Sequence, residues 1–345
     1  MLTLQKIQKR VQSLQQKYIP KAKHRRFSLG VRAVALTEFS SLNGAGRKLG
    51  LNRFTGESRI RRLVTDQGLT DLLQRLLISE TLSKRSGYLY CSLDHSQFGP
   101  FCIAVLAVSF RKGRAIPVWC QVNVSVAGLI APLLLALEAL FTVLASEAPK
   151  LKLVLVMDRW FASDKLFTLF TRYSIYFIAR TKSDKRVQLP WDPSWYKIPI
   201  IELSFLETEI TYRDHKLRLI RSEMTSDMKD PEPWFLLTNM PSEGEGAATR
   251  RQVLKRYEER FEIEEDFKDI KWLQRLEWQR VRTPEVIRNL LLFVFLGWWL
   301  LWWCEGSTTS TAQKHIHPKK KLSWFRLVWE QLQYLLSAPQ LALLT

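Results

Sequence analysis

The sequence predicts an α/β protein built on a mixed β-sheet, on the basis of two observations. Between residues 86 and 126, β-branched and aromatic residues dominate, and turn-forming pairs at Gly99-Pro100 and Lys112-Gly113 divide the stretch into three strands. Beyond residue 130, apolar helical segments alternate with short, continuously apolar strands, which is typical of buried parallel strands. We therefore expect three antiparallel strands followed by parallel strands that helices connect.

The order of these elements narrows the fold class. The predicted strands are Tyr88–Leu93, Phe101–Phe110, Ala115–Val126, Leu151–Met157 and Ile175–Ala179, and the predicted helices are Ile130–Ser146 and Ser163–Arg172. Three antiparallel strands followed by helix, strand, helix and strand is the order of a ribonuclease H-like fold. We predict a ribonuclease H-like mixed sheet with a β-rich insertion, preceded by a helical N-terminal region.

The helical region before the sheet is basic. Apolar residues at helix spacing run from Leu4 to Leu14, and short helices joined by Gly-containing turns follow. The last of these helices carries three clustered arginines, Arg59, Arg61 and Arg62. This arrangement is typical of a helix-turn-helix-like DNA-binding unit, although a helical bundle with a basic face explains the same residues.

The charge balance predicts a polyanionic partner. The 345 residues include 52 Lys and Arg against 33 Asp and Glu, which gives a net charge of +19 and a pI near 9.9. A surplus of this size favours nucleic acid as the partner. An anionic membrane surface is the alternative.

Cysteine usage and the N-terminus indicate a cytoplasmic protein. The four cysteines form no Cys-x2-Cys pair, so neither a zinc site nor a disulfide framework is expected, and reduced thiols are typical of the cytosol. The N-terminal segment is charged throughout, unlike a signal peptide. The apolar run Leu290–Cys304 is shorter than the roughly 18–20 residues of a membrane span. We expect it to be a buried core helix, with a membrane contact as the alternative.

Four polar side chains share one face of the predicted helix Tyr257–Lys271. At roughly 100° per residue, they fall within an arc of roughly 60°: Tyr257, Arg260, Glu264 and Lys271. A phenol and two cations suit the phosphates of DNA, and a carboxylate suits a metal ion held against them. A solvated helix in a basic protein explains each charge separately but not their alignment.

The spacing Tyr-x2-Arg-x3-Glu-x6-Lys resembles the YREK signature of the DDE transposases of bacterial insertion sequences. In that family the Glu is the third catalytic acid, and the other three residues contact DNA. The segment VLVMDRWF is similar to the surroundings of the family's second Asp, and PEPWFLLTNMP is similar to the strands before the catalytic helix. The resemblance spans roughly residues 86–304.

The resemblance implies that three acids, Asp94, Asp158 and Glu264, are catalytic. The two aspartates each follow a predicted strand, and functional sites of mixed sheets collect at strand ends. An isolated Asp in such a position is often only a turn or helix cap. Three carboxylates together suit hard cations, so the expected cofactor is a pair of Mg²⁺ ions held by these acids, for which Mn²⁺ can substitute.

The resemblance also implies that further residues contact DNA. Tyr257, Arg260 and Lys271 would hold phosphates near the cleavage point, and Arg159 of the Asp-Arg pair is another candidate. Trp234 corresponds to a Trp that stacks on a base flipped out at the transposon end. A core position is the other interpretation of this Trp.

The chain departs from the family pattern beside both aspartates. His95 follows Asp94 where another acid or a Thr is common, and Trp160 follows Arg159 where a Gly is common. Neither departure removes a catalytic acid. The C-terminal part is short for the family, which bears on its usual dimer contacts.

The expected division of the chain follows from these assignments. It comprises a DNA-binding region at 1–85, the first part of the catalytic core at 86–183, the β-rich insertion at 184–249, the second part of the core with the catalytic helix and a buried helix at 250–306, and a linker and tail at 307–345.

The expected function is cut-and-paste transposition. A homodimer would act on double-stranded DNA in the prokaryotic cytoplasm, at the nucleoid, nicking each terminal inverted repeat. It would then join the freed 3′-OH to target DNA after a hairpin intermediate that the resemblance implies. No membrane partner is expected. A ribonuclease H-like nuclease and a non-catalytic or domesticated DNA-binding protein are the alternatives.

Overall fold

A mixed β-sheet runs through the whole molecule. The computed structural model describes residues 4–36, 52–82, 85–110, 114–124, 130–198, 206–223, 233–264, 267–268 and 283–305. Within these ranges the strands are β1 (Gly87–Phe98), β2 (Phe101–Phe110), β3 (Arg114–Asn123), β4 (Leu151–Met157), β5 (Tyr176–Thr181), β6 (Arg186–Leu189), β7 (Asp192–Lys197), β8 (Glu207–Tyr212), β9 (His215–Arg221) and β10 (Phe235–Thr238). The helices are α1 (Leu4–Tyr18), α2 (His24–Leu36), α3 (Arg53–Val64), α4 (Gln67–Thr81), α5 (Ile130–Glu147), α6 (Asp164–Arg172), α7 (Arg250–Glu259) and α8 (Pro284–Glu305).

The strand order confirms the ribonuclease H-like prediction. The sheet runs β3-β2-β1-β4-β5-β10-β9-β8-β6-β7. β1, β2 and β3 form an antiparallel meander, and β4 and β5 extend it in parallel pairing from β1. Helices α5 and α6 supply the crossovers between the parallel strands, as expected for strands buried on both faces.

The β-rich insertion continues the same sheet. β10 pairs antiparallel with β5 on one side and with β9 on the other, and β8, β6 and β7 follow outward. The hairpin of β6 and β7 occupies a stretch in which Pro190 and Pro193 predict only chain breaks. The segment Ile198–Phe205 of the insertion is also β-prone in sequence, but only Ile198 of it lies within the described residues.

Both outermost strands carry a proline. Pro117 lies in β3 where the pairing with β2 shifts between Leu106 and Ala107, and Pro193 lies in β7. Proline has no N–H to donate to a neighbouring strand, so it is tolerated at the edge of a sheet and rarely in the middle. Each proline therefore lies in an edge strand of the described sheet, where its missing N–H is tolerated.

The apolar helix α8 is buried, as the sequence predicts. Its residues from Leu290 to Leu300, other than Gly297, lie in the core that the N-terminal helices share with the face of β1–β3. The Arg10 guanidinium of α1 lies 4.9 Å from the ring centroid of Trp299 and 5.2 Å from that of Trp303. These contacts give the Trp-rich segment a packing role.

Helix α5 is the one described helix with the length and apolar composition of a membrane span. It packs on the opposite face of the sheet through Leu133, Leu137 and Phe141, all of them buried. Three cysteines, Cys91, Cys102 and Cys120, are buried as free thiols, as the sequence predicts.

Candidate active site

The register of two parallel strands brings the two aspartates to the same level of the sheet. The last parallel pair of β1 and β4 is Leu93 with Met157. Asp94 and Asp158 directly follow these two residues in the sequence, so the two aspartates lie at the same level, where the pairing of β1 with β4 ends. Unlike the prediction, Asp94 does not end its strand, because β1 continues to Phe98 in antiparallel pairing with β2.

Asp94 is a buried carboxylate with two partners. Its Oδ1 accepts a hydrogen bond from the backbone N–H of His95 at 2.7 Å, and its Oδ2 accepts one from Nη1 of Arg260 at 2.5 Å. Burial raises the pKa of Asp94 to about 6, against the opposing effects of the Arg260 guanidinium and the His95 N–H. The negative charges of Asp158 and Glu264 add to this rise, so all three acids act electrostatically on one site.

Arg260 lies between two of the acids. Its Nη1 donates to Asp94, and its Nη2 donates to Oε1 of Glu264 at 2.9 Å. The Arg260 side chain is only 4% exposed, whereas the Glu264 side chain is 44% exposed. Burial by itself lowers the pKa of Arg260, but Asp94 and the neighbouring acids raise it above its usual value. A guanidinium thus supplies the positive charge that holds these carboxylates together.

The segment carrying Arg260 departs from a regular α-helix. α7 ends at Glu259, and the next residues bond three positions back, with Arg260 N–H to the Tyr257 carbonyl and Glu264 N–H to that of Phe261, both at 3.1 Å. The expected continuous helix to Lys271 is therefore interrupted by a turn at Arg260 and Phe261, and residues 262–264 are again helical. Lys271 lies outside the described residues.

Two apolar side chains fix the position of Glu264. Ile263 and Phe267 are both buried in the core of α8 and the meander. The ring of Phe267 lies 6.4 Å, centroid to centroid, from that of Phe98 at the end of β1 in an edge-on arrangement that aromatic pairs favour. Packing against β1 therefore brings Glu264 beside Asp94.

Tyr257 and Trp234 form an aromatic cluster with Phe261. Tyr257 is fully buried, and burial raises its pKa to about 12. Its hydroxyl has no hydrogen-bond partner among the described atoms. The partly buried Trp234 ring lies edge-on to Tyr257 at 5.1 Å and at 5.8 Å from Phe261, centroid to centroid. Trp234 thus combines core packing with an accessible edge, and its contact with a base stays a prediction, as does the contact of Tyr257 with phosphate.

The exposed cations predicted to contact DNA lie in two places. Arg159 borders a groove of about 580 Å³ together with Asp158, Arg180 and Lys182. The other three arginines lie on α3, and all are exposed: Arg59, Arg61 and Arg62. The structure does not bring this second group into the groove's lining.

Residues 133–300 match the family model of the transposase DDE domain. The chain carries a DDE transposase domain. The match includes Asp158 and Glu264, and Asp94 lies on the N-terminal side of it. A search of curated proteins finds no match. The family identification confirms the resemblance to DDE transposases, while membership of the YREK group stays a prediction.

The oxygen atoms of the three acids are suitable ligands for a hard divalent cation. Asp94, Asp158 and Glu264 offer carboxylate oxygens, which are the ligands that Mg²⁺ prefers. Among the described residues, however, no three His, Cys, Asp or Glu side chains are arranged closely enough to hold a metal ion. The Arg260 guanidinium bonds to both Asp94 and Glu264, so it has to move before these two carboxylates can share a cation.

A pair of aromatic residues beside the acids has no role in the predictions made from the sequence. The rings of His95 and Trp160 are in contact, with centroids 4.7 Å apart and planes inclined by 34°. His95 Nδ1 lies 3.8 Å from Oδ1 of Asp94 and has no hydrogen-bond partner among the described atoms. Burial lowers the pKa of His95. The signal was present in the sequence, since these are the two positions that depart from the family pattern, but only the fold shows that they meet.

Proposed function

We propose that the chain is a cut-and-paste transposase that cleaves DNA at element ends and transfers the 3′-OH to target DNA. The observation that carries the proposal is the pairing of Leu93 with Met157, after which Asp94 and Asp158 follow at the same level of the sheet. Glu264 reaches the same point through Arg260. A metal-dependent nuclease needs such a convergence of acids, and the DDE domain identification agrees with it.

Asp94, Asp158 and Glu264 would hold two Mg²⁺ ions, with Mn²⁺ as a substitute. Such a pair of cations activates the attacking oxygen and stabilises the leaving oxygen in phosphodiester chemistry. Arg260 stabilises the acids before cations bind. With cations held by Asp94 and Glu264, the attraction of these acids for the guanidinium would be weaker, and Arg260 would be available to bind a phosphate.

The remaining candidates would hold DNA around the acids. Arg159 is exposed at the groove beside Asp158, and Lys271 and Tyr257 would contact phosphates together with the released Arg260. Trp234 would stack on a base flipped out of the duplex. Three arginines of α3 would contact the terminal inverted repeats: Arg59, Arg61 and Arg62.

The biological setting of the proposal is a prokaryotic cell. The chain would act in the cytoplasm at the nucleoid, as a homodimer that binds two element ends, with a hairpin intermediate at each end. Its net charge of +19 supports binding along a DNA backbone.

The test is metal-dependent cleavage of a plasmid that bears the ends of the element encoding the chain. Wild-type protein should cut at those ends with Mg²⁺ or Mn²⁺, and Glu264→Gln should lose cutting by about 10³-fold or more, as expected when charge stabilisation at a reacting phosphate is lost. Glu258→Gln, an exposed acid of α7, is the matched control and should cut like wild type.

Each other outcome points to a different protein. Binding to the ends without cutting by wild type would indicate a domesticated DNA-binding protein. Cutting without preference for the ends would indicate a ribonuclease H-like nuclease. Full cutting by Glu264→Gln would remove this residue from the site.

A further inference from the structure

The contacting rings of His95 and Trp160 form an aromatic wall beside Asp158. The two rings are inclined by 34°, and Phe161 meets Trp160 edge-on at 4.9 Å and His95 at 5.6 Å. Phe161 is fully buried in the core of α5 and α6, and Trp160 packs against that core as a partly buried residue. The core thus fixes the orientation of the pair while leaving part of Trp160 accessible.

The wall borders the groove of about 580 Å³ that begins at Asp158. Three cationic side chains and two acidic ones line the same groove: Arg159, Arg180, Lys182, Asp158 and Asp184. Its volume lies within the range of roughly 300–1,000 Å³ typical of sites that enclose small ligands. An aromatic face flanked by cations is the combination that binds single-stranded nucleic acid, because the ring stacks on a base while the cations hold the phosphates.

His95 and Trp234 lie on opposite faces of the sheet. Side chains alternate between the two faces of a strand, so His95 and Asp94 face opposite sides of β1. His95 lies on the same face of the sheet as Leu93, which packs with α5 and α6. Trp234 lies on the other face, in the cluster that contains Tyr257 of α7. Asp94 therefore shares the face of Trp234, while the charge of Asp158 acts on both His95 and Tyr257. Asp158 is thus within reach of both aromatic surfaces.

We propose that His95 and Trp160 form a second base-stacking site, which holds an unpaired nucleobase on the opposite side of the cleaved phosphate from Trp234. This inference rests on the proposed transposase function. A duplex has to open locally for its backbone to enter a narrow site, and a base that leaves the stack loses contacts that an aromatic surface can replace. The site takes any base, since stacking on an aromatic ring does not depend on sequence.

The test is photocrosslinking of the full chain to a duplex bearing the element end, without divalent metal so that the DNA stays intact. 5-Iododeoxyuridine, which crosslinks to stacked aromatic side chains, is placed at successive positions on both sides of the cleavage point. From one side we expect crosslinks to the peptides that contain His95 and Trp160. From the other side we expect crosslinks to the peptide that contains Trp234.

Substitutions separate stacking from packing. Trp160→Leu should reduce the first crosslink by about tenfold or more and leave the second unchanged, while Trp160→Phe should retain both. Trp195→Leu is the matched control, because Trp195 is 49% exposed on the distant β7, and it should change neither crosslink.

Two results would overturn the inference. Equal crosslinking by Trp160→Leu would do so, as would wild-type crosslinks to the Trp234 peptide from both sides. The wild-type map decides the matter by itself if Trp160→Leu does not fold. A mobility-shift measurement on the same duplex separates the two proposals: binding without the expected crosslinks overturns only the stacking site, and no binding overturns the transposase function as well.

Discussion

Arg260 joins two carboxylates that would otherwise repel each other. Asp94 and Glu264 each bind a different guanidinium nitrogen, and the Asp94 carboxylate is nearly inaccessible to water. A buried charge that loses its partner costs far more than the same charge at the surface. The Arg260 guanidinium and a divalent cation are therefore two alternative positive charges that can neutralise the same acids.

Arg260→Ala should destabilise the fold by about 3–5 kcal/mol, because it leaves the Asp94 carboxylate buried without its cation. Mg²⁺ should recover part of this loss by binding the freed acids. Urea unfolding with and without Mg²⁺ measures both effects.

The control for Arg260→Ala is Arg256→Ala, one turn earlier on α7. Arg256 pairs with Glu259 at 2.6 Å, and its side chain is 40% exposed, so its loss should cost only about 1 kcal/mol or less. Equal destabilisation by the two substitutions, without any effect of Mg²⁺, would contradict the role assigned to Arg260.

The raised pKa of Asp94 predicts a pH effect on both stability and activity. Its pKa of about 6 in the folded protein exceeds the value of about 3.9 for an unfolded Asp. The contribution of the neutral carboxyl to stability is therefore present below about pH 4 and lost as the pH rises through about 6. Cation binding needs the ionised form, so metal-dependent cleavage should fall as the pH drops below about 6.

Unfolding and cleavage measured from about pH 4 to 8 check both halves of this prediction. Asp94→Asn should flatten the stability profile of the fold across that range, whereas Glu258→Gln should leave it as in wild type. A wild-type cleavage rate that stays constant below about pH 5 would show that Asp94 remains ionised there.

At the residue scale, the spacing of residues in the sequence identifies the three acids but not the surroundings of Tyr257 and Arg260 beside them. The order of strands and the YREK-like spacing point to Asp94, Asp158 and Glu264 before any coordinates are known. A helical projection, however, assumes a constant 100° per residue. The tight turns after Glu259 depart from that value, yet Arg260 still bonds to Glu264 and lies 5.5 Å from the ring centroid of Tyr257. Spacing therefore predicts the shared face but not the burial of Tyr257 and Arg260, which depends on what packs against them.

The link between the insertion and α7 depends on one buried arginine. Arg218 of β9 donates from Nη1 to the backbone carbonyls of Met240, Pro241 and Ala248, at 2.8, 3.0 and 2.9 Å. It also bonds to the carboxylate of Glu207 on β8. Residues 240–248 lead directly into α7, so Arg218 fixes where that helix begins.

Arg218→Met should destabilise the protein by about 3 kcal/mol or more, because three carbonyls lose a donor and Glu207 loses its cation. Arg186→Met, on the exposed side of β6, should stay within about 0.5 kcal/mol of wild type. Thermal unfolding of both variants checks this prediction. A cost for Arg218→Met no larger than that for Arg186→Met would mean that residues 240–248 hold their position by other contacts.

At the element scale, the sequence predicts the meander and the parallel strands to within a few residues but not the outer half of the sheet. Strong local patterns define β2 and β4, which begin and end where the apolar runs do. The placement of β10 between β5 and β9 depends on pairings over long separations along the chain, which no local pattern encodes. The prolines near β7 moreover predict a chain break, and only the topology shows that β7 is an edge strand, in which proline is tolerated.

The helical N-terminal region shares its core with the catalytic domain. Buried residues of α1 and α4, among them Leu14 and Leu73, belong to the same cluster as Leu291 and Phe295 of α8. An ionic cluster adds to this contact, because Arg10 of α1 bonds to the buried Glu80 of α4 at 2.7 Å. The expected boundary at residue 85 is therefore a boundary in secondary structure rather than between separate cores.

A chain that begins at residue 86 should fail to fold cooperatively, since it exposes the apolar face of α8. Its thermal unfolding, followed by circular dichroism, should show no sharp transition, and a separate peptide of residues 1–85 should restore one. A cooperative transition within about 5 °C of the full chain would instead establish an independent catalytic domain.

The two prolines at the margins of the sheet restrict how copies of the protein can assemble. An exposed strand with all its amide donors free invites another chain to extend the sheet, and this is a common route to aggregation. Pro117 and Pro193 each remove one such donor at opposite ends of the sheet. In the proposed homodimer, the two copies would then be held together by side-chain surfaces and by the DNA itself rather than by a shared sheet.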